Sequence, residues 1–231
     1  MNEAIDRIIK YWDDYAPEFD AAHATEDIDL WRQTLKSLIN EDAGGPKKVL
    51  DLGTGTGFLA KMTAALGYIT VGVDLAREMI KLGVKDTDEK GLPVIFVEAP
   101  VDNLPFPDDS FDVIVNCRLV WTLVDPQAAF TEWRRVLKPK GRVLNFIRLR
   151  DQENPDFDRK EIYGRELDNI LPLRGADKTD HTAALEKAGF TCCEAVLLPK
   201  ELTVRTSPVS QDKNNGHPHL MPPWHVIRGF K

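Results

Sequence analysis

The spacing of apolar residues changes along this chain, and the changes mark out its elements. Ile5, Ile8, Ile9 and Trp12 recur at helical spacing, and Pro17 is expected to break that helix ahead of Phe19. A second helix is predicted over 27–40. There Ile28, Leu30, Trp31, Leu35, Leu38 and Ile39 fall mostly on one face, and Gly44-Gly45-Pro46 follows as a stop. Beyond residue 46, short apolar runs alternate with longer amphipathic stretches. The runs at 49–52, 69–73, 94–97, 111–116, 142–148, 190–198 and 224–230 read as strands, and the stretches at 58–66, 76–85, 126–137 and 180–188 read as helices. Asp125 caps the third of these helices with Pro126 in its first turn, and Lys138-Pro139-Lys140-Gly141 is expected to form the loop that precedes the next strand. Residues 149–178 carry no clear period and are rich in Asp, Arg, Glu and Pro. They are expected to form a lid or insertion, with helical pieces around 159–170.

Strands alternating with helices predict an α/β fold, an open and mostly parallel doubly wound sheet with helices on both faces. Right-handed crossovers then gather the carboxyl ends of the strands at one edge, where ligands of such sheets bind. A chain of 231 residues suits one domain. Within it, 1–46 would be a helical cap, 47–148 the ligand-binding core, 149–178 the lid, and 179–231 the rest of the sheet.

The chemistry concentrates where the first strand ends, at Asp51-Leu52-Gly53-Thr54-Gly55-Thr56-Gly57. Glycine has no Cβ, so such a turn reaches positive φ and lets main-chain N–H groups approach a ligand. Two ligand classes use a strand, glycine turn and helix: dinucleotides and adenosyl sulfonium compounds. A dinucleotide places its diphosphate at the helix N-terminus, where Asp51 would repel it. A ligand with an ammonium and a sulfonium would instead be attracted. Gly55-x-Gly57-x-x-Ala60 also satisfies the looser dinucleotide pattern, so an NAD(P)-dependent oxidoreductase stays open as an alternative. Asp74 ends the second strand about 20 residues beyond Gly53, the place of a carboxylate that bonds ribose hydroxyls, and it would also serve as a helix N-cap.

The spacing Asp51-x-Gly53-x-Gly55-x-Gly57 resembles the first motif of the class I S-adenosylmethionine (SAM)-dependent methyltransferases. The strings LPFPDDSFDVIV, from Leu104, and WTLVDPQAAFTEWRRVLKPKGRV, from Trp121, resemble the small-molecule members of the menaquinone and ubiquinone biosynthesis type. The resemblance spans roughly 51–147. It implies a Rossmann-like sheet of seven strands with the last antiparallel, S-adenosyl-L-methionine as cofactor, and methyl transfer to O, N or C of a small molecule. A protein that binds SAM or a nucleoside without catalysis is the other alternative. The implied cofactor set is Asp51, Gly53, Thr54, Gly55, Gly57, Asp74, Leu75, Met79, Val101, Asp102 and Cys117. One departure stands out: the family commonly has Gly-Asp-Ala, its aspartate accepting from the adenine amino group, where this chain has Ala99-Pro100-Val101. Asp102, or main-chain groups with packing between Leu75 and Val101, is left to serve adenine.

Methyl transfer depends on aligning donor and acceptor and on excluding water, and a base helps only where the acceptor arrives protonated. His23 is the candidate base. It follows Phe19-Asp20 and precedes Trp31, an arrangement similar to the N-terminal region of the same subgroup. Tyr11, Tyr15, Arg118 and Trp121 are candidate substrate contacts. The subgroup often has a histidine after that arginine, and Leu119 stands there instead. His217, His219 and His225 match no zinc spacing, so no metal is expected. Acidic residues outnumber basic ones by 37 to 30, which opposes nucleic-acid binding. No apolar run is long enough for a bilayer, and the first ten residues lack the pattern of an export signal. Three cysteines are too few for a disulfide framework and are read as reduced and packed. A cytoplasmic location and a monomer or homodimer are expected.

Overall fold

The structure, a computed structural model, describes residues 3–23, 27–40, 47–149, 162–202 and 223–231; within 20–23 it describes the backbone alone. Seven strands form one sheet: β1 (Lys48–Leu52), β2 (Ile69–Asp74), β3 (Val94–Glu98), β4 (Phe111–Cys117), β5 (Leu137–Arg148), β6 (Thr191–Leu197) and β7 (Trp224–Phe230). Their order is β3-β2-β1-β4-β5-β7-β6. β7 runs antiparallel to both of its neighbours, and the other pairs are parallel. The chain winds outward from β1 in one direction and from β4 in the other, so the turn after β1 lies at the point where strand order reverses.

Helices α1 (Glu3–His23), α2 (Ile28–Ile39), α3 (Phe58–Ala65), α4 (Arg77–Lys90), α5 (Pro126–Val136), α6 (Arg165–Ile170) and α7 (Lys178–Lys187) accompany the sheet. Successive strand residues point to opposite faces and so feed two cores. Val49, Val113, Val115 and Phe146 pack with Trp31, Leu35 and Leu59, whereas Leu50, Leu52 and Ile114 pack with Phe130, Trp133 and Leu185. Most of these side chains are fully buried. Side-chain caps fix several helix starts: Asp27 accepts from Leu30 N, Asp125 from Ala128 N, and Asp177 forms a capping box with Asp180.

Three boundaries differ from the sequence expectation. α1 does not break at Pro17 but runs through it to His23. A proline inside a helix forfeits a hydrogen bond, yet contacts on both sides of this one hold the helix, because Trp12, Ala16 and Phe19 all pack against Ala76 and Met79. The Lys138-Pro139-Lys140-Gly141 stretch lies within β5 instead of preceding it. Leu137 pairs with Phe111 and Arg142 with Val113, so 138–141 bulge out opposite Asp112, with Lys140 at φ +66°. Leu137 is fully buried, which brings the chain onto the sheet as soon as α5 ends. α4 also outruns its expected end at 85 and closes at Gly91, whose φ is +62°. The expected stop at 44–46 falls outside the described residues.

Candidate active site

The glycine turn takes its shape from residues that a side chain would not permit. Gly53 and Gly55 sit at φ +61° and +55°, and a Cβ on Gly53 would stand 2.7 Å from Leu119 Cδ1. Gly57, at φ +86°, is the N-cap of α3. Asp51 braces this turn from behind. Only 2% exposed, it accepts from Thr54 Oγ1 at 2.7 Å and from Ala60 N at 2.9 Å through one oxygen. Burial pushes its carboxyl up to about 7 against the pull of those two bonds, and Asp74 adds to the rise.

Asp74 reaches the same turn from β2. Its Oδ2 accepts from Gly55 N at 2.7 Å and its Oδ1 from Ala76 N at 2.9 Å. Burial raises its carboxyl above the usual range, opposed by the amides of Ala76, Gly55 and Leu75, while Asp13 adds a smaller upward push. The surface of Asp74 that remains faces a cavity of about 150 Å³ at the carboxyl edge of the sheet.

Of the residues expected from the sequence, Gly53, Gly55, Asp74, Leu75, Met79, Val101, Asp102, Cys117 and Arg118 line this cavity. Asp51, Thr54 and Gly57 are not in its lining; they shape the turn, Thr54 by its bond to Asp51 and by donating its N–H to Val73 O at 3.0 Å. Tyr11, Tyr15 and Trp121 stand outside the lining as well. The other wall was not expected from the sequence: Ile5, Ile8, Ile9, Trp12 and Phe19 of α1 line it together with Leu119, Thr122, Leu123 and Val124. Their helical spacing was visible, but a face turned toward a cavity has the same pattern as one turned toward packed side chains.

Pro100, Val101 and Asp102 form a fixed rim. Pro100 O accepts from Asn103 N at 3.3 Å, and Val101 O from Trp133 Nε1 at 2.9 Å. Arg118 lines the cavity with its backbone at φ +64°, but its guanidinium lies over the rings of Trp224 and Phe58 at 4.7 and 5.6 Å. Its Nη1 also donates to Sγ of Cys117, another lining residue, at 3.4 Å. The side chain stacks on the aromatic rings of the core beside α2 and α3.

A cluster absent from the sequence reading stands behind α1. Tyr163 OH accepts from Trp12 Nε1 at 2.9 Å, its ring stacks on Trp121 at 5.8 Å, and Tyr11 meets it edge-on at 5.3 Å. Tyr11 in turn stacks on Tyr15 at 6.0 Å. Asp168 and Arg174, both nearly buried, pair at 3.2 Å, and Asp168 also accepts from Ile162 N at 2.8 Å. Arg174 lies 5.0 Å over Trp121. The residues that make this cluster come from 162–174, where no periodicity announced them. His23 ends α1, and its side chain falls outside the described residues, as do His217 and His219. His225 lies in β7, its Nδ1 3.2 Å from Pro223 O.

The cavity fits the adenosyl sulfonium cofactor better than a dinucleotide. Its charged lining is Asp74, Asp102, Asp125 and Arg118, three carboxyl groups to one guanidinium, a balance that favours a cation over a diphosphate. The apolar side chains of Leu75, Met79 and Val101 offer a slot for a flat base, and a Cβ on Gly55 would meet nothing closer than 3.9 Å, leaving the turn open to a ligand.

Comparison with known proteins agrees. A family described as a methyltransferase domain matches residues 50–145. A ubiquinone/menaquinone biosynthesis C-methyltransferase from Bdellovibrio bacteriovorus is 34% identical over 176 residues, which cover 73% of this chain and 72% of that protein. A demethylmenaquinone methyltransferase from Thermus thermophilus is 40% identical over 116 residues, 49% of this chain and 52% of the relative, so the match spans about half of its length. Among solved structures, a SAM-dependent methyltransferase from Thermotoga maritima, a possible histamine N-methyltransferase, superposes with a TM-score of 0.66 at 20% identity, covering 96% of this chain and 99% of that one; this likeness concerns the fold. Among the described residues, no helix is long and apolar enough to cross a membrane. With an acidic glycine-turn cavity at the switch point of a seven-stranded sheet, and the Bdellovibrio relative matched over more than two thirds of its length, the chain belongs to the class I SAM-dependent methyltransferases of the menaquinone and ubiquinone biosynthesis type.

Proposed function

We propose that this enzyme methylates a ring carbon of a reduced quinone-type aromatic compound. The observation that carries the reading is the wall opposite the glycine turn, where Ile8, Ile9, Trp12, Phe19, Leu123 and Val124 offer apolar and aromatic surface to a flat acceptor. The C-methyltransferase relatives support it.

When bound, S-adenosyl-L-methionine supplies an electrophilic methyl group on a positively charged sulfur. The chain's part is to hold, align and exclude water. Asp74 would hold the ribose, Leu75, Met79, Val101 and Asp102 the adenine, and the Gly53-Gly55 turn with Cys117 the amino acid end. α1 and residues 162–174 would form the cap that keeps water out, with Tyr11, Tyr15, Trp121 and Tyr163 as its aromatic frame. Ring methylation releases a proton, and His23 at the end of α1 is our candidate to receive it. Cytoplasmic residence, action as a monomer or homodimer, and no part for nucleic acid complete the reading; the excess of 37 acidic over 30 basic residues supports the last of these.

The test is incubation with methyl-labelled SAM and a demethylated naphthohydroquinone. The expected product carries the label on a ring carbon, and His23→Ala is expected to slow its formation tenfold or more with cofactor affinity unchanged. Label on oxygen, or none in any product, would refute the acceptor assignment, and full turnover by His23→Ala would remove that residue from the mechanism.

A further inference from the structure

α4 starts without a cap of its own. Ala76 occupies its N-cap position, and alanine has no side-chain oxygen to meet the first-turn amides. Asp74 accepts from the amide of Ala76 itself, and a first-turn amide is met from elsewhere: Asp13, from the middle of α1, accepts from Glu78 N at 2.9 Å. Glu78 is the second residue of α4, a position whose amide a capping side chain normally bonds. The missing cap therefore arrives from 65 residues away in the chain.

This bond joins two walls of the cavity. Leu75, Ala76 and Met79, at the start of α4, line one wall, and Trp12 and Phe19, on either side of Asp13 in α1, line the other. Phe19 Cε1 stands 3.9 Å from where a Cβ on Gly55 would be, so α1 roofs the glycine turn. Trp12, the residue next to Asp13, bonds Tyr163. One turn of α1 thus ties the cofactor wall to the segment that carries Tyr163.

We propose that Asp13 is a positioning residue, a latch that fastens α1 onto the N-terminus of α4 and sets the rate at which adenosyl ligands enter and leave. The inference goes beyond the acceptor assignment and does not depend on it. A ligand roofed by α1 leaves only when that helix lifts, and lifting breaks the Asp13 bond.

The test is stopped-flow dissociation of S-adenosylhomocysteine, with thermal unfolding measured alongside. Asp13→Ala is expected to speed release roughly three- to tenfold, the loss of one hydrogen bond. Asp13→Asn keeps an acceptor oxygen and is expected to release at close to the original rate. Ala76→Ser gives α4 a cap of its own. In the Asp13→Ala background, compared with Ala76→Ser alone, it is expected to restore the melting temperature while release stays fast. Unchanged release from Asp13→Ala, release from Asp13→Asn as fast as from Asp13→Ala, or recovery of both stability and slow release by Ala76→Ser would each overturn the latch.

Discussion

Asp51 and Asp74 lie near the carboxyl ends of adjacent parallel strands, and their hydrogen bonds give them different surroundings. Asp51 is spent on Thr54 and Ala60 behind the glycine turn, whereas Asp74 bonds Gly55 and Ala76 at the cavity wall. The acid-glycine spacing pointed to both residues and to a cationic ligand, but the direction of a carboxylate depends on which amides surround it, and a one-dimensional pattern does not contain that. The burial of Asp51 has a consequence for stability. Its folded pKa of about 7 exceeds its ordinary 3.8, so the folded state holds that proton more tightly. The contribution is full below about pH 4 and is lost as pH rises toward 7. Asp51→Asn cannot ionise and keeps an oxygen for both bonds. Its melting temperature relative to the original protein is therefore expected to climb between pH 4 and 7 and then level off, and parallel pH profiles would contradict the assignment.

At the scale of elements, the strands and most helices could be read because a period of two or 3.6 is written directly in the order of apolar residues. Pro17 misled because its local cost is real and the contacts that outweigh it, from Met79 and Ala76, lie some 60 residues further along. Tyr163 could not be found at all: its partners Trp12 and Trp121 come from α1 and the turn after β4, and its own surroundings carry no period. That tyrosine gives the segment 162–174 its grip on α1. Tyr163→Phe removes the oxygen that Trp12 bonds but keeps the ring stack. It is expected to raise the KM for the acceptor several-fold with kcat and cofactor affinity nearly unchanged. A fall in kcat alone, or a loss of cofactor binding, would show that the cluster acts elsewhere.

For the molecule as a whole, the sheet order places the glycine turn, Asp74, the Pro100 rim and the turn after β4 at a single edge, and α1 then closes over them. The first three followed from strand-helix alternation together with the motif spacing. The sequence also suggested a helical cap over 1–46, but not how it docks, because the seating of α1 depends on contacts such as Asp13 with Glu78 that join distant parts of the chain. The central claim is that this edge receives a cationic adenosyl ligand held by Asp74, with no place for a diphosphate. Calorimetric titration of S-adenosylhomocysteine and NADH into the intact protein and Asp74→Ala addresses it most directly. The account predicts that S-adenosylhomocysteine binds, that Asp74→Ala weakens it at least tenfold, and that NADH gives no signal. Binding of NADH, or full affinity for S-adenosylhomocysteine without Asp74, would contradict it.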